Sequence, residues 1–210
     1  MRERFLADLQ ALQLPGCFNP WTDIDEDFDI PEDGPGARRR RLAAHLDCPD
    51  AKLILIGEAP GYQGCRASGL GFTSEALILD GAIPRVRTAL PRLTSRPRPW
   101  SEPSARIVWG VLYRLGIAEQ TILWNACPLH PMPPGKAHGN RKPRAGEVAA
   151  GRPFLEALIG AFPAARVAAV GRTSEGLLAR MGIEATGVRH PAYGGKADFE
   201  RGVGNLVASI

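Results

Sequence analysis

The stretch LILIGEAPGYQG, which runs from Leu53 to Gly64, decides the fold. Four apolar residues in succession, Leu53 to Ile56, are typical of a strand buried on both faces of a parallel sheet. They run into a glycine, a carboxylate and an Ala-Pro-Gly corner. Either this corner is a sharp turn that happens to carry a charge, or the strand delivers a backbone loop to a ligand.

Strand-like and helix-like patterns alternate along the rest of the chain. The predicted strands are Lys52–Gly57, Thr121–Ala126, Arg166–Gly171 and a short one at Thr186–His190. The helices predicted after the first strand include Ser104–Leu115, Val148–Phe162, Ser174–Met181 and 196–209. Such alternation favours the α/β class. We therefore expect a three-layer α/β/α sandwich around a central, mostly parallel four-stranded sheet.

The first 47 residues read differently from the rest. A helical pattern covers residues 2–14, an acidic and then Pro/Gly-rich loop covers 22–37, and four consecutive arginines, Arg38–Arg41, open a second helix. We predict that residues 1–47 form a helical extension packed on one domain spanning residues 1–210. The arginine run is either a solvated helix face or a patch that contacts phosphates.

Bulk properties limit the possible functions only loosely. The chain has 210 residues, 44% of them hydrophobic, which suits a single domain with a sizeable core. A net charge of +4 permits a polyanionic partner without demanding one. No apolar run is long enough for a membrane span or a signal peptide, so we expect a cytoplasmic protein with no membrane partner.

The cysteines carry no metal-site pattern. Cys17, Cys48, Cys65 and Cys127 include no C-x-x-C pair, and their spacing matches no common zinc motif. In a cytosolic chain this indicates free thiols. We predict no metal and no cofactor.

Chemically useful side chains follow the predicted strands. In open parallel sheets, ligands bind beyond the carboxyl ends of the strands. Those ends carry the Gly57–Gly61 corner with Glu58, then Asn125, Gly171 and His190. A carboxylate, an amide and an imidazole are therefore expected to meet at one edge of the sheet.

These residues, in this order, resemble the uracil-DNA glycosylase superfamily. Its members carry a first motif after strand one, an Asn at the end of a middle strand, and a His-Pro motif before the C-terminal helix. Here these are GEAPG at 57–61, Asn125 and His190-Pro191, and the resemblance spans about residues 50–200. GEAPG is similar to the first motif of the group often called family 4, which also places a Phe shortly afterwards, here Phe72.

The resemblance implies a monofunctional glycosylase that removes uracil, or a related deaminated base, from DNA and so initiates base excision repair. It is expected to be a monomer whose partner is the damaged DNA. His190 would donate to O2 of the departing base, and Asn125 would pair with its N3–H and O4. Phe72 would stack on the flipped base. Backbone N–H groups of the corner that contains Gly57, Ala59 and Gly61 would approach O2.

Departures from the family pattern modify these expectations. Family 4 holds an iron–sulfur cluster on four cysteines that include a close pair, and no close pair exists here. The enzymes with the strongest uracil activity have an Asp where this chain has Ala59, so Glu58 is the obvious substitute for positioning water. They place a bulky Tyr where this chain has Gly61, so we expect looser pyrimidine selectivity.

DNA contacts are predicted on both sides of the His-Pro motif and after the first motif. Tyr193 stands where relatives insert a wedge into the duplex and would fill the gap left by the flipped base. Lys196, Arg189 and Arg66 are candidates for phosphate contacts.

Other interpretations remain open at this stage. His190, Asn125, Phe72 and Glu58 could each be structural, as a turn cap, a turn former, a core aromatic ring and a hydrogen-bonding carboxylate. The strand–turn–helix unit also begins nucleotide-binding folds, although GEAPGYQG is neither G-x-G-x-x-G nor a Walker loop. A non-catalytic reader of damaged or single-stranded DNA on the same fold is the main alternative. A metal hydrolase using Cys127, His130 and His138 is a weaker one.

Overall fold

A four-stranded parallel sheet forms the centre of the protein. The computed structural model describes residues 2–30, 34–86 and 92–210. Strands β2 (Leu53–Gly57), β3 (Thr121–Asn125), β5 (Arg166–Val170) and β6 (Thr186–Val188) lie in the order β3-β2-β5-β6, and every neighbouring pair is parallel. The predicted α/β class and four-stranded sheet are confirmed.

The apolar runs explain which strands are central. All residues of β2 and of β3 are buried, as continuous hydrophobic strands in covered parallel sheets are. Gly57 is in register with Asn125, so both strands end at the same level. This shared end places the Gly-Glu-Ala-Pro-Gly corner beside the Asn125 side chain.

Helices cover the sheet and carry most of the remaining apolar residues. Their bounds are α1 (Arg2–Ala11), α2 (Gly34–His45), α3 (Cys65–Ser68), α4 (Glu75–Leu79), α5 (Pro103–Arg114), α6 (Ala145–Ala149), α7 (Arg152–Ala161), α8 (Arg172–Arg180) and α9 (Lys196–Val207), with a 3-10 turn at Ala118–Gln120. No helix within the described ranges has the length and apolarity needed to cross a membrane.

The helix predicted at Val148–Phe162 is two helices, α6 and α7. The chain breaks at Gly151, where a Cβ would lie 1.9 Å from the carbonyl oxygen of Ala126. This approach leaves no room for a side chain, and Pro153 then begins the next helix, as proline does in a first turn. The apolar residues keep a helical spacing across the break, but Gly151 and Pro153 are breaker residues that mark it in the sequence.

The N-terminal residues share the apolar core of the sheet. Phe5 and Leu9 of α1 are buried, and the Phe5 ring meets the Trp124 ring of β3 edge-on at 5.2 Å between centroids. A short antiparallel pair, β1 (Cys17–Phe18) with β4 (His130–Pro131), joins this region to the loop after β3. Two-residue strands have no sequence signature, and we did not expect this pair.

Two of the four arginines in the run of α2 are buried, so the run as a whole is neither a solvated face nor a phosphate patch. Arg38 and Arg41 are 0% exposed, and α2 begins four residues before the run, at Gly34. Arg38 forms a buried ion pair with Asp29, at 2.9 Å, and also donates to the carbonyl oxygen of Asp23. Its partner lies in the acidic loop, which the sequence pattern could not link to it.

The Pro- and Arg-rich segment at 84–103 lies partly outside the described residues. Its C-terminal part is anchored by Glu75, a fully buried carboxylate at the start of α4. Glu75 accepts hydrogen bonds from the backbone N–H groups of Leu93, Thr94 and Trp100, and from the Thr94 hydroxyl. These bonds hold the segment that leads to α5.

Candidate active site

A cavity of about 530 Å³ opens at the carboxyl edge of the sheet. Its volume is within the range of ordinary ligand pockets, about 300–1,000 Å³. Its walls come from the ends of β2, β3, β5 and β6, and from the loops that follow β3 and precede α5. The lining residues are Glu58, Ala59, Pro60, Gly61, Cys65, Phe72, Glu102, Asn125, Asn140, Arg141, Lys142, Val170, Gly171, Arg172, Thr173, Arg189, His190 and Tyr193.

Asn125 and Phe72 pack directly against the Cα of Gly57. A Cβ there would lie 2.6 Å from Oδ1 of Asn125 and 2.8 Å from Cζ of Phe72, so only glycine fits. The Asn125 amide makes no hydrogen bond to another described residue, which leaves its acceptor and its donors for a ligand. Phe72 has a φ of 47°, a rare value for a residue with a side chain, which orients its ring into the cavity wall.

His190 is a neutral hydrogen-bond donor in this geometry. Its Nδ1 accepts from the backbone N–H of Ala192 at 3.1 Å, so the ring proton resides on Nε2. Partial burial, aided by the positive charge of Arg189, lowers the pKa of His190 below its usual value. The ring lies 6.4 Å from the Phe72 ring, between centroids, on the same side of the cavity.

The Gly57–Gly61 corner presents free backbone donors. The N–H groups of Ala59 and Gly61 donate to no other atom of the described chain, whereas the next one, of Tyr62, donates to Oδ1 of Asn140 at 3.0 Å. Both residues with free donors line the cavity. The corner is therefore able to bind an oxygen atom of a ligand.

Glu58 lies in the cavity wall with one carboxylate oxygen buried and unpaired. No described residue hydrogen-bonds to its Oε1. Burial raises the pKa of Glu58, and the positive charge of Lys142 opposes this shift. A raised pKa makes the carboxylate a stronger base, and a carboxylate in the cavity wall is able to accept a proton or orient a water molecule.

Sequence reasoning missed a second carboxyl group in the cavity, that of Glu102. It precedes α5, accepts from the Ser104 hydroxyl at 2.6 Å, and its pKa is raised by burial. Its Oε2 lies against Gly64, where a Cβ would be 2.0 Å away. Glu102 follows a Pro/Arg-rich stretch with no periodicity, so no sequence signal points to it.

Other missed residues form the polar rim. Asn140 and Lys142 come from the Pro-rich loop after β4, and Arg172 and Thr173 begin α8 directly after β5. The rule that ligands bind at strand ends would have found the last two, because Gly171 had already been identified as a strand end.

Tyr193, Arg189 and Lys196 have exposed side chains near the end of β6 and the start of α9. Tyr193 is 99% exposed at the cavity mouth with a φ of 52°, at the tip of the turn between β6 and α9. Arg189 lines the cavity and is exposed, and Lys196 is exposed at the first residue of α9. Their predicted contacts with DNA remain predictions.

Arg66 is not available to phosphates, and this part of the prediction was wrong. Its side chain is 4% exposed and its Nε donates to Asp25 at 3.0 Å. The guanidinium also stacks on the Phe18 ring, 3.7 Å from the centroid. Arg66 therefore has a structural role. If it left Asp25 to bind a phosphate, the buried carboxylate would lose its compensating charge.

The cysteines do not form a set of ligands. Among the described residues, the group of three or more possible metal ligands that comes together is Asp25, Asp27 and His138, and it includes no thiol. Asp25 is already paired with Arg66 and His138. Cys127 therefore does not join His130 and His138 in such a group.

Comparisons with known proteins agree with this architecture. A family model described as the uracil DNA glycosylase superfamily matches residues 44–204. Among solved structures, the crystal structure of wild-type SMUG2 from Pedobacter heparinus matches with a TM-score of 0.65 at 14% identity, covering 99% of this chain and 95% of that one. That likeness shows the fold. No curated protein matches the sequence.

Proposed function

Because the chain belongs to the uracil DNA glycosylase superfamily, we propose that it hydrolyses the N-glycosidic bond of uracil, or of a related deaminated base, in DNA. The observation that carries the proposal is the convergence of the free Asn125 amide and the neutral His190 imidazole on one cavity at the carboxyl edge of the sheet. Because Asn125 and His190 are far apart in the sequence, only the fold brings them together.

Asn125 selects the base in this proposal. An amide offers an acceptor and a donor side by side, which matches N3–H and O4 of uracil. Cytosine presents the opposite pattern, so an Asn125 amide held in the orientation that pairs with uracil would leave both groups of cytosine unpaired. The Phe72 ring supplies a stacking surface for a base flipped out of the duplex, worth about 1–3 kcal/mol.

His190 stabilises the departing base. Negative charge develops on the base as the bond to C1′ breaks, and the Nε2–H of a neutral His190 donates to O2 without first losing a proton. The N–H groups of Ala59 and Gly61, which have no partner among the described residues, would donate to the same oxygen. A positioned donor of this kind is worth about 3 kcal/mol in comparable sites.

Glu58 activates or orients the attacking water. Ala59 provides no carboxylate, and the carboxylate of the preceding residue, which lines the cavity, is the available acceptor. The proton of the water passes to Glu58 as its oxygen bonds to C1′ and the bond from C1′ to the base breaks. The base leaves with the electron pair of that bond and is then protonated from the solvent, so the products are the free base and an abasic sugar.

Tyr193 and the surrounding cations engage the DNA. The exposed Tyr193 ring would enter the space vacated by the flipped base, and Arg189 and Lys196 would meet phosphates on either side of it. The enzyme would act as a monomer, since one chain carries all of these groups.

Base release from labelled oligonucleotides tests the proposal. The panel contains uracil opposite guanine, uracil opposite adenine, single-stranded uracil, thymine opposite guanine, and hypoxanthine, with abasic sites revealed by alkali. We expect release from at least one uracil substrate, and some release of thymine because Gly61 leaves the pocket open. Binding without release from any substrate would favour the alternative, a non-catalytic DNA reader, and would refute the enzyme.

A further inference from the structure

The space left open by Gly61 is bordered by a side chain from a different part of the chain. A Cβ at Gly61 would lie 3.6 Å from Nδ2 and 3.8 Å from Oδ1 of Asn140. Asn140 belongs to the loop between β4 and α6 and lines the cavity. A polar amide therefore stands next to the position where strict uracil enzymes place an aromatic ring.

Two donors fix the orientation of the Asn140 amide. Its Oδ1 accepts from the backbone N–H of Tyr62 at 3.0 Å and contacts Nε2 of His130 at 3.1 Å. A backbone N–H only donates, so the atom facing Tyr62 must be the oxygen. The Nδ2 atom makes no hydrogen bond within the described chain, and its N–H groups are left for a ligand.

The tautomer of His130 supports the same orientation. Its Nδ1 faces Nη1 of Arg66 at 3.3 Å, and arginine only donates, so His130 accepts there and carries its proton on Nε2. Burial, with help from the charge of Arg66, lowers the pKa of His130 to about 4 and keeps the ring neutral. The Nε2–H is then shared between Asn140 and the carbonyl oxygen of Gly139, at 2.9 Å from the latter.

This chain of contacts continues into the N-terminal region. Arg66 is held by the buried Asp25, which also contacts His138 at 2.9 Å. Asp25, Arg66 and His130 are all buried, whereas Asn140 reaches the cavity. The buried groups form a rigid support behind one exposed amide, which is an arrangement that positions a binding group.

We propose that Asn140 reads the edge of the base that faces Gly61, by donating an N–H to an acceptor atom on that edge, and that Asp25, Arg66 and His130 are positioning residues for it. The inference rests on the proposed function, because the cavity must hold a base. The favoured bases carry a hydrogen-bond acceptor at that edge: an oxygen in a C5 substituent of a pyrimidine, or N7 of a purine.

Two matched pairs of bases test the inference in oligonucleotides. 5-Formyluracil and 5-vinyluracil have substituents of similar size, but only the first carries an acceptor. Hypoxanthine and 7-deazahypoxanthine differ by one ring nitrogen. The two bases of a pair differ in intrinsic reactivity. We therefore take the ratio of their release rates in a variant and divide it by the same ratio in the parent protein.

Asn140→Asp is the decisive variant, because it keeps an oxygen towards Tyr62 and His130 and presents an acceptor where Nδ2 was. Asn140→Leu removes the donor without adding an acceptor. We expect the preference for the acceptor-bearing base to fall by about 3- to 10-fold in Asn140→Leu, and further in Asn140→Asp. Asn205→Asp, the same change at an exposed position of α9, should leave the ratio unchanged.

The positioning role is tested at His130. His130→Leu should lower the preference, whereas His130→Gln, which retains a donor near the Nε2 position, should restore it at least in part. A structural role alone would change stability and overall rate in both variants without moving the ratio. Thermal unfolding is followed in each variant to separate the two effects.

Equilibrium binding to the same bases on 2′-fluorinated, non-hydrolysable sugars gives a readout independent of catalysis. No release by the parent, but a binding preference lost in Asn140→Asp, would refute the glycosylase and support Asn140. A change of the ratio in only one pair supports the inference and shows whether Asn140 recognises a pyrimidine or a purine. Equal ratios in the parent, Asn140→Asp and Asn140→Leu, in binding and in release, would overturn it.

Discussion

At Gly57, the absence of a side chain keeps the cavity open. A methyl group at this position would displace the Asn125 amide and the Phe72 ring together, since both lie under 3.0 Å from the Cβ site. We expect Gly57→Ala to lower kcat/KM for uracil release by about 10- to 100-fold, which corresponds to weakened pairing and stacking of the base. Single-turnover release measures it.

A control for Gly57→Ala is Gly160→Ala, because a Cβ at Gly160 has no neighbour within 4 Å. This variant should release uracil at the parent rate. Equal rates for Gly57→Ala and the parent would contradict the placement of the base against Asn125 and Phe72.

Tyr193 should matter only where there is a duplex to open. Its side chain is 99% exposed, so Tyr193→Ala removes no packing and should leave the thermal midpoint unchanged. We expect release from duplex uracil to slow by about 10-fold, because stacking worth about 1–3 kcal/mol is lost, and release from single-stranded uracil to change little. Equal losses on both substrates would show that Tyr193 does not act as a wedge.

Single residues differ in how well the sequence predicted them. Asn125 follows an apolar run and His190 ends a short predicted strand, and both could be predicted because strand ends meet at one edge of the sheet. Glu102 and Asn140 were missed because aperiodic loops carry them. Arg66 was misassigned because a basic residue does not reveal its partner, Asp25, which lies 41 positions away in the sequence.

At the level of elements, the break between α6 and α7 makes a sharp prediction. Gly151→Ala forces a Cβ against the carbonyl oxygen of Ala126, at 1.9 Å, and should destabilise the protein by about 2 kcal/mol or more, as backbone strain does. Gly160→Ala, inside α7, should stabilise it by about 0.5–1 kcal/mol. Urea unfolding of both variants checks the opposite signs, and a neutral effect of Gly151→Ala would contradict the close contact.

Helices and strands could be predicted where a continuous run of apolar residues is buried. They could not be predicted where contacts between distant segments determine where an element begins or ends. Strand β2 and the middle of β3 are apolar, so their positions could be read directly from the sequence. Nothing in the run Val148–Phe162 shows that a carbonyl oxygen approaches Gly151. The pair β1–β4 depends on contacts between segments far apart in the chain, which no local pattern encodes.

Across the whole molecule, buried neutral histidines should make folding sensitive to acid. Burial, aided by Arg85, lowers the pKa of His45 to about 3, and that of His130 is lowered to about 4. In the unfolded chain both titrate near about 6.5. As pH falls below this value the unfolded state gains protons first, so stability declines, by at most about 1.4 kcal/mol per pH unit for each histidine.

Urea midpoints between pH 7.5 and 4.5 measure this decline, with His45→Gln as the comparison. His45 accepts from the backbone N–H of Leu123 at 2.9 Å, so the variant should be less stable at neutral pH. Its stability should nevertheless fall less steeply with acid. An identical slope in the parent and His45→Gln would contradict the neutral state of this residue.

The positive rim of the cavity should appear in the salt dependence of DNA binding. Each phosphate neutralised by a cation contributes a slope of about −0.9 in log K against log salt. Arg189→Ala should reduce the magnitude of the slope by about this amount. Arg152→Ala should not, because Arg152 pairs with Glu156 on α7 and does not line the cavity. Parallel plots for all three proteins would contradict a phosphate contact at Arg189.

The most direct test of the central claim is single-turnover release of uracil from a duplex with uracil opposite guanine, comparing the parent with His190→Ala, Asn125→Ala and the control Asn205→Ala. We predict release by the parent and the control, and a loss of about 100-fold or more in His190→Ala, since a donor worth about 3 kcal/mol is removed. Asn125→Ala should also lose release. Release by the parent that survives both substitutions would contradict the assignment of this cavity as the active site.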